Sequence, residues 1–140
     1  MSYNELIQLY FERSNALQSY WTLYVVIIGG LLAFSSLRKQ PDLLTTVLLT
    51  VLFSFFAYKN LGGIHDATEQ RFAALRAIKQ YPQAALETAE VGQTREILEP
   101  TLVPPAYEGV RNFHIVSDLL TLATLWAMER RRAKIEGRAF

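Results

Sequence analysis

The stretch "YWTLYVVIIGGLLAFSSL", Tyr20 to Leu37, decides the fold. It contains no charged residue, and its length of roughly 18 residues matches one crossing of a lipid bilayer. Tyr20 and Trp21 at its start are typical of the aromatic side chains found at the boundary between lipid and water. The flank before it is mixed or acidic, and no small-residue cleavage site follows, so we interpret the stretch as an uncleaved span and not as a signal peptide.

Two further apolar runs follow this one. "LLTTVLLTVLFSFFAY", Leu43 to Tyr58, is slightly short, but the Lys59 side chain can extend to the interface and lengthen it. "FHIVSDLLTLATLWAMERRR", Phe113 to Arg132, is interrupted by Asp118. The sequence therefore predicts three transmembrane helices, over residues 20–37, 43–59 and 111–129.

The remaining segments complete an all-α prediction. Residues 1–19 place apolar side chains at helical spacing opposite polar ones, which predicts an amphipathic helix leading into the first span. Residues 60–109 are polar enough to form a small extramembrane helical cap, and residues 130–140 form a basic tail. The predicted fold is thus a single domain: an integral membrane three-helix bundle with an amphipathic N-terminal helix and a helical cap between spans two and three.

Within the cap, glycine and proline predict the helix ends. The pair Gly62–Gly63 is expected to interrupt the helix, because glycine lowers helix stability. A helical pattern resumes at His65 and runs to Pro82, and a short helix is expected to stop at Gly92. The proline-rich segment from Pro100 to Pro105 predicts an extended connector.

The basic residues predict how the chain is oriented. Arg38 and Lys39 lie in the turn between spans one and two, and five basic residues crowd the tail. Three spans place this turn and this tail on one side, and basic residues near span ends mark the cytoplasmic side. We therefore expect a multi-pass cell-membrane protein with its N-terminus outside and its C-terminus in the cytoplasm, in a layout similar to that of small inner-membrane proteins of bacteria.

Several function classes find no support in the sequence. The chain has no cysteine, which excludes disulfides, thiolate metal sites and cysteine nucleophiles. Its net charge of +1 gives no sign of nucleic-acid binding. There is no glycine-rich phosphate loop and no nucleophile elbow.

Asp118 needs polar partners inside the membrane. An aspartate at the centre of a span costs about 2.5 to 3.5 kcal/mol, nearly all that the apolar residues of span three return, so this span should depend on the other helices. A rise of about 1.5 Å per residue places Ser54, Thr50 and Tyr24 at a similar depth. Span one contributes the small pair Gly29 and Ala33, which should face its neighbours. The expected intramembrane polar cluster comprises Asp118, Ser117, Thr121, Thr50, Ser54 and Tyr24.

Asp118 has a structural and a functional interpretation. As a structural residue it would fix helix register through hydrogen bonds to hydroxyl groups. As a functional residue it would belong to a metal site or to a proton or ion path; such a path would also use Ser117, Thr121 and Thr124 and would require several copies of the chain.

A metal site is an alternative use of the two histidines. His65 and His114 both fall near the outer boundary, and imidazole with carboxylate can bind copper or zinc. The possible ligands are His65, His114, Asp118, Asp66 and Glu69. Such a site requires the chain to bend at Gly62 and Gly63. At the opposite boundary, anionic lipid headgroups are the expected partners of four tail residues: Arg130, Arg131, Arg132 and Lys134.

The sequence favours a non-enzymatic role. Packing features are clear and catalytic ones are absent, which indicates an accessory or interaction subunit without a cofactor. It would work in the lipid bilayer with a protein partner or a second copy of itself, and not with nucleic acid. The alternative is a metal-binding protein or metal-dependent membrane enzyme with a copper or zinc site at the outer end of the bundle.

Overall fold

Within the part of the chain that the structure describes, the fold contains four α-helices. A computed structural model describes residues 1–82 and 89–137. In chain order, the helices are α1 (Tyr3–Leu37), α2 (Leu43–Lys79), α3 (Ala89–Leu98) and α4 (Tyr107–Ile135), with a 3-10 helix (Glu99–Thr101) after α3. This part of the chain contains no strand, which confirms the all-α prediction. By length and composition, α1 and α2 are each apolar enough to cross a membrane.

Helices α1 and α2 form a long antiparallel hairpin. They have 35 and 37 residues, which corresponds to about 52 and 55 Å. Tyr3 at the start of α1 packs in one cluster with Ile78 at the end of α2. Nearer the turn, Tyr24 packs with Phe53. The amphipathic segment and the first apolar run are thus one helix.

Buried residues follow the hairpin along a single seam. On α1, Ser35 is buried near the turn, and the seam itself consists of Tyr3, Leu6, Tyr10, Leu17 and Tyr24. Their steps of three, four or seven residues are the spacing of helices that pack side by side over a long distance. The seam is therefore continuous from the apolar run to the outer tip, the end of the hairpin formed by Tyr3 and Ile78.

The predicted break at Gly62–Gly63 is wrong, because α2 continues through both residues. A Cβ atom added at Gly63 would lie 2.6 Å from Cζ of Tyr20, whereas one at Gly62 would meet nothing within 4 Å. Gly63 thus gives the Tyr20 ring room against the α2 backbone. The propensity cost of a glycine, about 1 kcal/mol, is small compared with what a long packed seam provides.

Side chains cap the starts of both hairpin helices. Ser2 and Glu5 form a reciprocal capping box at α1. At α2, the Asp42 carboxylate accepts hydrogen bonds from the backbone amide and the hydroxyl of Thr45. These bonds hold the pKa of the Asp42 carboxyl below its usual value. The Arg38–Asp42 turn is therefore defined by its own side chains.

Helix α4 packs against both helices of the hairpin and runs parallel to α1. Its first turn, at Tyr107 and Val110, packs beside Leu17. Further along, the Trp126 indole N–H donates a 3.2 Å hydrogen bond to the Thr50 hydroxyl. Gly29 and Ala33 remain exposed, so the small-residue pair of α1 does not lie at these helix contacts as expected; α1 uses larger side chains there.

The outer tip is closed by Arg95. Its guanidinium donates hydrogen bonds to the carbonyls of Tyr81, Ile78 and Lys79, at and just beyond the end of α2, which satisfies acceptors that a helix end leaves free. Two predictions are corrected here. Helix α3 passes through Gly92 instead of stopping there, and the connector begins with the 3-10 helix before it becomes extended.

The hairpin surface changes character along its length. Between the turn and Tyr58, large apolar side chains are exposed on α1, α2 and α4. They include Val25, Val26, Phe34, Leu44, Leu52, Phe55, Phe113, Leu119 and Leu120. Beyond this apolar belt, the exposed residues of α1 and α2 are mainly polar or charged, among them Glu5, Gln8, Glu12, Asp66, Glu69, Arg76 and Lys79.

Candidate functional site

A buried polar cluster joins all three long helices inside the apolar belt. It consists of Tyr24 on α1, Asn60 on α2, and His114 and Asp118 on α4, and is called the outer cluster. The Tyr24 hydroxyl lies 2.8 Å from Oδ1 of Asp118, and Nδ1 of His114 lies 2.8 Å from Oδ2 of the same carboxyl group. Nε2 of His114 lies 3.2 Å from Nδ2 of Asn60. The cluster is thus one chain of hydrogen bonds across the bundle.

Aromatic rings shield this cluster from solvent. The Tyr24 and His114 ring centroids are 4.1 Å apart, and the Trp21 ring lies 5.8 Å from His114. The His114 side chain is 0% exposed, whereas that of Asp118 is 17% exposed. Oδ1 of Asn60 is buried without a hydrogen-bond partner. His114 is therefore the most enclosed titratable group of the cluster.

Of the three hydroxyls expected near Asp118, the structure places only that of Tyr24 on the carboxylate. Ser54 donates to the Thr50 carbonyl, and Thr50 donates to the Thr46 carbonyl. The reason is register. The depth estimate takes Lys59 and Arg111 as the outer boundaries of their spans and so places Ser54 and Thr50 near Asp118, but the contact between Asn60 and His114 shifts α2 against α4 by about one helical turn.

Two α4 threonines, Thr121 of the expected cluster and Thr124 of the expected proton or ion path, form their hydrogen bonds within the helix. The Thr121 hydroxyl donates to the Ser117 carbonyl, and the Thr124 hydroxyl donates to that of Leu120. Such bonds to the preceding turn are usual for threonine in helices. Thr121 is nonetheless buried, as are Leu125 one turn further along α4 and Phe53 on α2.

A second buried polar cluster lies at the turn end of the bundle. This inner cluster is centred on Glu129, whose residue is 1% exposed. Oε1 accepts a 2.6 Å hydrogen bond from the Asp42 backbone amide. Oε2 accepts from the Thr46 hydroxyl at 3.0 Å and from Arg132 at 2.7 Å, and Arg38 lies 3.6 Å away. One carboxylate thus connects α4 to the turn and to α2.

Arg132 extends the inner cluster to α1. Its Nη1 donates a 2.7 Å hydrogen bond to the Ser35 carbonyl, and the residue is buried. This corrects the expectation that Arg132 is a headgroup ligand, because its guanidinium is engaged by Glu129 and Ser35. Arg130, Arg131 and Lys134 are exposed.

Sequence reasoning missed the role of Glu129. One signal was present: Glu129 and Arg132 are three residues apart, so they share one face of a helix. The basic residues of the tail were assigned together to the cytoplasmic side because of their charge. This assignment did not distinguish Arg132, whose side chain faces the interior of the bundle. The partner on α1 is a backbone carbonyl, for which the side-chain sequence carries no signal.

The expected metal site does not form. His65 lies 3.2 Å from Asp66 with its side chain 48% exposed, whereas His114 is buried against Asn60 and Asp118. The site required a bend at Gly62 and Gly63, and α2 has none. Within residues 1–82 and 89–137, no three His, Asp or Glu side chains are grouped so that they could hold a metal ion.

Both clusters link separate helices through buried hydrogen bonds. Imidazole, carboxylate and phenol form a connected set of hydrogen-bond donors and acceptors in the outer cluster.

Comparison of the chain with protein-family models, curated proteins and solved structures found no match. Function is therefore inferred from this chain's own residues.

Proposed function

We propose that the chain is an integral membrane protein whose helices α1, α2 and α4 span the bilayer as a three-helix bundle. The apolar belt supports this, because soluble proteins seldom expose so many large apolar side chains on one continuous surface. The belt ends near Tyr58, and the exposed residues of α1 and α2 beyond it are mainly polar or charged. Residues 60–82 and 1–19 then project as the extramembrane part.

Helix α4 is the most polar of the three proposed spans. Its polar residues His114, Thr121 and Glu129 are buried against the hairpin, while Phe113, Leu119 and Leu120 are exposed. Polar groups within a membrane are stable when they face neighbouring helices and find partners there. This arrangement supports α4 as a span that inserts together with the hairpin.

The proposed orientation has the N-terminus and outer tip outside the cell and the C-terminal tail in the cytoplasm. Arg38 and Arg132 both contact Glu129, so the turn and the start of the tail lie at the same end of the bundle. Exposed Lys39, Arg130 and Arg131 lie at this end too. Basic residues flanking spans favour the cytoplasmic side.

The function we assign to this protein is that of a non-enzymatic accessory subunit that binds another protein or a second copy of itself. One observation carries this assignment: the hairpin continues unbroken beyond the belt. Residues 60–79 extend α2 by about 30 Å. Their exposed side is mainly polar or charged. The tip is held by Arg95 and by the apolar cluster that contains Tyr3 and Ile78. We call the part of the hairpin beyond the belt, residues 1–19 and 60–79, the arm. A polar arm on a membrane anchor is suited to binding another protein.

Membrane integration and orientation are tested first. The chain should remain in membranes after carbonate extraction and require detergent for solubility. Reporters of cytoplasmic and external location, fused after Phe140 and inserted near Gln93, should give opposite results. Extraction without detergent, or the same compartment for both reporters, would contradict the proposal.

The interaction role is tested by crosslinking and co-purification from native membranes. A tagged chain should retain a defined partner or a second copy, and reversing charge on the arm with Glu69→Lys and Arg76→Glu should abolish retention. The matched control is Lys134→Glu in the tail, which should leave it intact. If the arm and tail variants behave alike, the arm is not the binding surface.

A further inference from the structure

We propose that Arg13 and Arg71, which lie in the seam of the arm, bind the carboxylate groups of an acidic segment of another protein. The site rests on the proposed function, because its ligand belongs to the partner that the arm binds. Three features of the two arginines support it: their positions on the helices, their lack of an anionic partner, and their distance from the membrane.

The two arginines occupy seam positions of the hairpin. Buried residues of α2 follow steps of three and four along the arm: Asn60, Ile64, Ala67, Ala74 and Ile78. Arg71 fills the gap between Ala67 and Ala74, and the same spacing places Arg13 between Tyr10 and Leu17 on α1. A charged side chain therefore stands on each helix at a point where its neighbours along the seam are apolar.

Tyr10 brings the two arginines to one part of the seam. The guanidinium carbon of Arg71 lies 5.9 Å from the centre of the Tyr10 ring, a distance at which a cation and an aromatic ring attract each other. Arg13 follows Tyr10 by three residues on α1, so the two side chains are neighbours on one face of that helix. Two positive charges thus lie in adjoining layers of the arm.

Neither arginine has an anionic partner within residues 1–82 and 89–137. The other arginines of this part of the chain that are buried or half-buried each contact a glutamate: Arg38 and Arg132 contact Glu129, and Arg95 contacts Glu99. Nε of Arg71 is moreover buried without a hydrogen-bond partner, an unfavourable state for a charged donor. A carboxylate would supply the missing acceptor, because it binds a guanidinium through two parallel N–H···O hydrogen bonds.

A ligand can reach both arginines from outside the bundle. Helix α4 begins at Tyr107, which packs beside Leu17 and Ile64. It therefore does not extend to the layer of Arg71, two turns further along α2. Arg13 and Arg71 are accordingly half-buried instead of enclosed. An acidic segment can supply one carboxylate to each guanidinium.

The position of the site along the arm makes a lipid headgroup an unsuitable ligand. Arg71 lies beyond Tyr58, the outer end of the belt, by a helix length of about 20 Å. The headgroup layer extends only about 5 to 7 Å from the hydrocarbon core on each side of a bilayer. Lipid phosphates thus end well short of the site, whereas the acidic side chains of a protein outside the membrane do not.

Titration with a hexaglutamate peptide tests the site on the full-length chain in neutral detergent. We expect Arg71→Gln to weaken binding about tenfold or more, because it removes hydrogen bonds between charged groups, and Arg13→Gln to act in the same direction. The control is Arg111→Gln, which removes the same charge from an exposed position of α4 and should change the affinity little.

Three results of this titration would overturn the inference. One is that hexaglutamate does not bind the parent chain. Another is that Arg71→Gln and Arg111→Gln lose equal affinity, since net charge alone would then explain binding. The third is that inorganic phosphate binds as tightly as the peptide and with the same dependence on Arg71, which would assign the site to a free anion. Should Arg71→Gln not fold, Arg13→Gln decides in its place.

Co-purification from native membranes separates this inference from the proposed function. The double variant Arg13→Gln with Arg71→Gln should lose the partner that the parent chain retains, while Arg111→Gln should keep it. Retention of the same partner by the double variant would overturn the site and leave the arm as a binding surface. If the parent itself retains no partner, the proposed function fails, and the hexaglutamate titration alone decides whether the site exists.

Discussion

The hydroxyl of Tyr24 donates a 2.8 Å hydrogen bond to Oδ1 of Asp118, across 94 residues of sequence. Tyr24 is almost fully buried, and its ring also lies against that of His114, with the two planes tilted by 32°. The bond joins α1 to α4 within the apolar belt. Tyr24 therefore supplies both apolar contact and a polar link between the hairpin and the third helix.

Replacing Tyr24 by phenylalanine should remove only the polar link. We expect Tyr24→Phe to lower the free energy of unfolding by about 0.6 to 2 kcal/mol, the range measured for hydrogen bonds between membrane helices. The measurement is reversible unfolding in mixed micelles. The control is Tyr58→Phe, because Tyr58 is 75% exposed and should show no effect. A loss of the same size in both variants would mean that the bond to Asp118 contributes nothing.

Asp118 should tolerate an amide better than an apolar side chain. Asp118→Asn can accept from the Tyr24 hydroxyl, and it can donate to Nδ1 of His114 once the ring carries its hydrogen on Nε2 and the Asn60 amide turns its oxygen toward that nitrogen, so it should fold with little loss. Asp118→Leu leaves Nδ1 of His114 buried without a partner, which costs about 1 to 3 kcal/mol, although it favours insertion of α4 itself. Thermal unfolding of both variants in the same detergent measures the two losses of stability. A stability of Asp118→Leu equal to that of the parent would contradict the structural role of this carboxylate.

Gly62 and Gly63 should respond to alanine in opposite directions. Gly62→Ala meets open space and should stabilise α2 by up to about 1 kcal/mol through helix propensity. Gly63→Ala collides with the Tyr20 ring and should destabilise the hairpin by about 1 to 3 kcal/mol, the usual cost of overpacking. Each variant is the control for the other in thermal unfolding. Equal shifts would show that the two helices do not approach at Gly63.

Removing the Glu129 carboxylate should be the most damaging change at the inner cluster. Glu129→Ala leaves Arg132 buried without its anion, and breaking such a pair costs about 3 to 5 kcal/mol. The double change Glu129→Ala with Arg132→Met should recover much of this loss, because no unpaired charge remains in the pair. Unfolding in mixed micelles is the measurement, with Glu12→Gln on the exposed face of α1 as control. Additive losses in the double variant would show that the two residues act independently.

Local sequence patterns predicted the helices. Contacts between the helices, which those patterns do not specify, determined which side chains meet. The uncharged runs placed helix ends close to Leu37 and Leu43, since charge and proline interrupt them. The effect of Gly63 could not be predicted, because it depends on where the Tyr20 ring packs. The same limit applies to Asp118: its place on α4 followed from helical spacing, but its partners depend on how α2 is shifted along α4.

The unbroken path of α1 and α2 has a mechanical consequence. Without a hinge at Gly62 and Gly63, the arm cannot move independently of the helices in the belt. It acts as a lever: with an arm of about 30 Å, a tilt of about 10° at its base displaces the tip by about 5 Å. In the proposed membrane setting, a change in bilayer thickness, which membrane helices accommodate by tilting, would therefore move the tip.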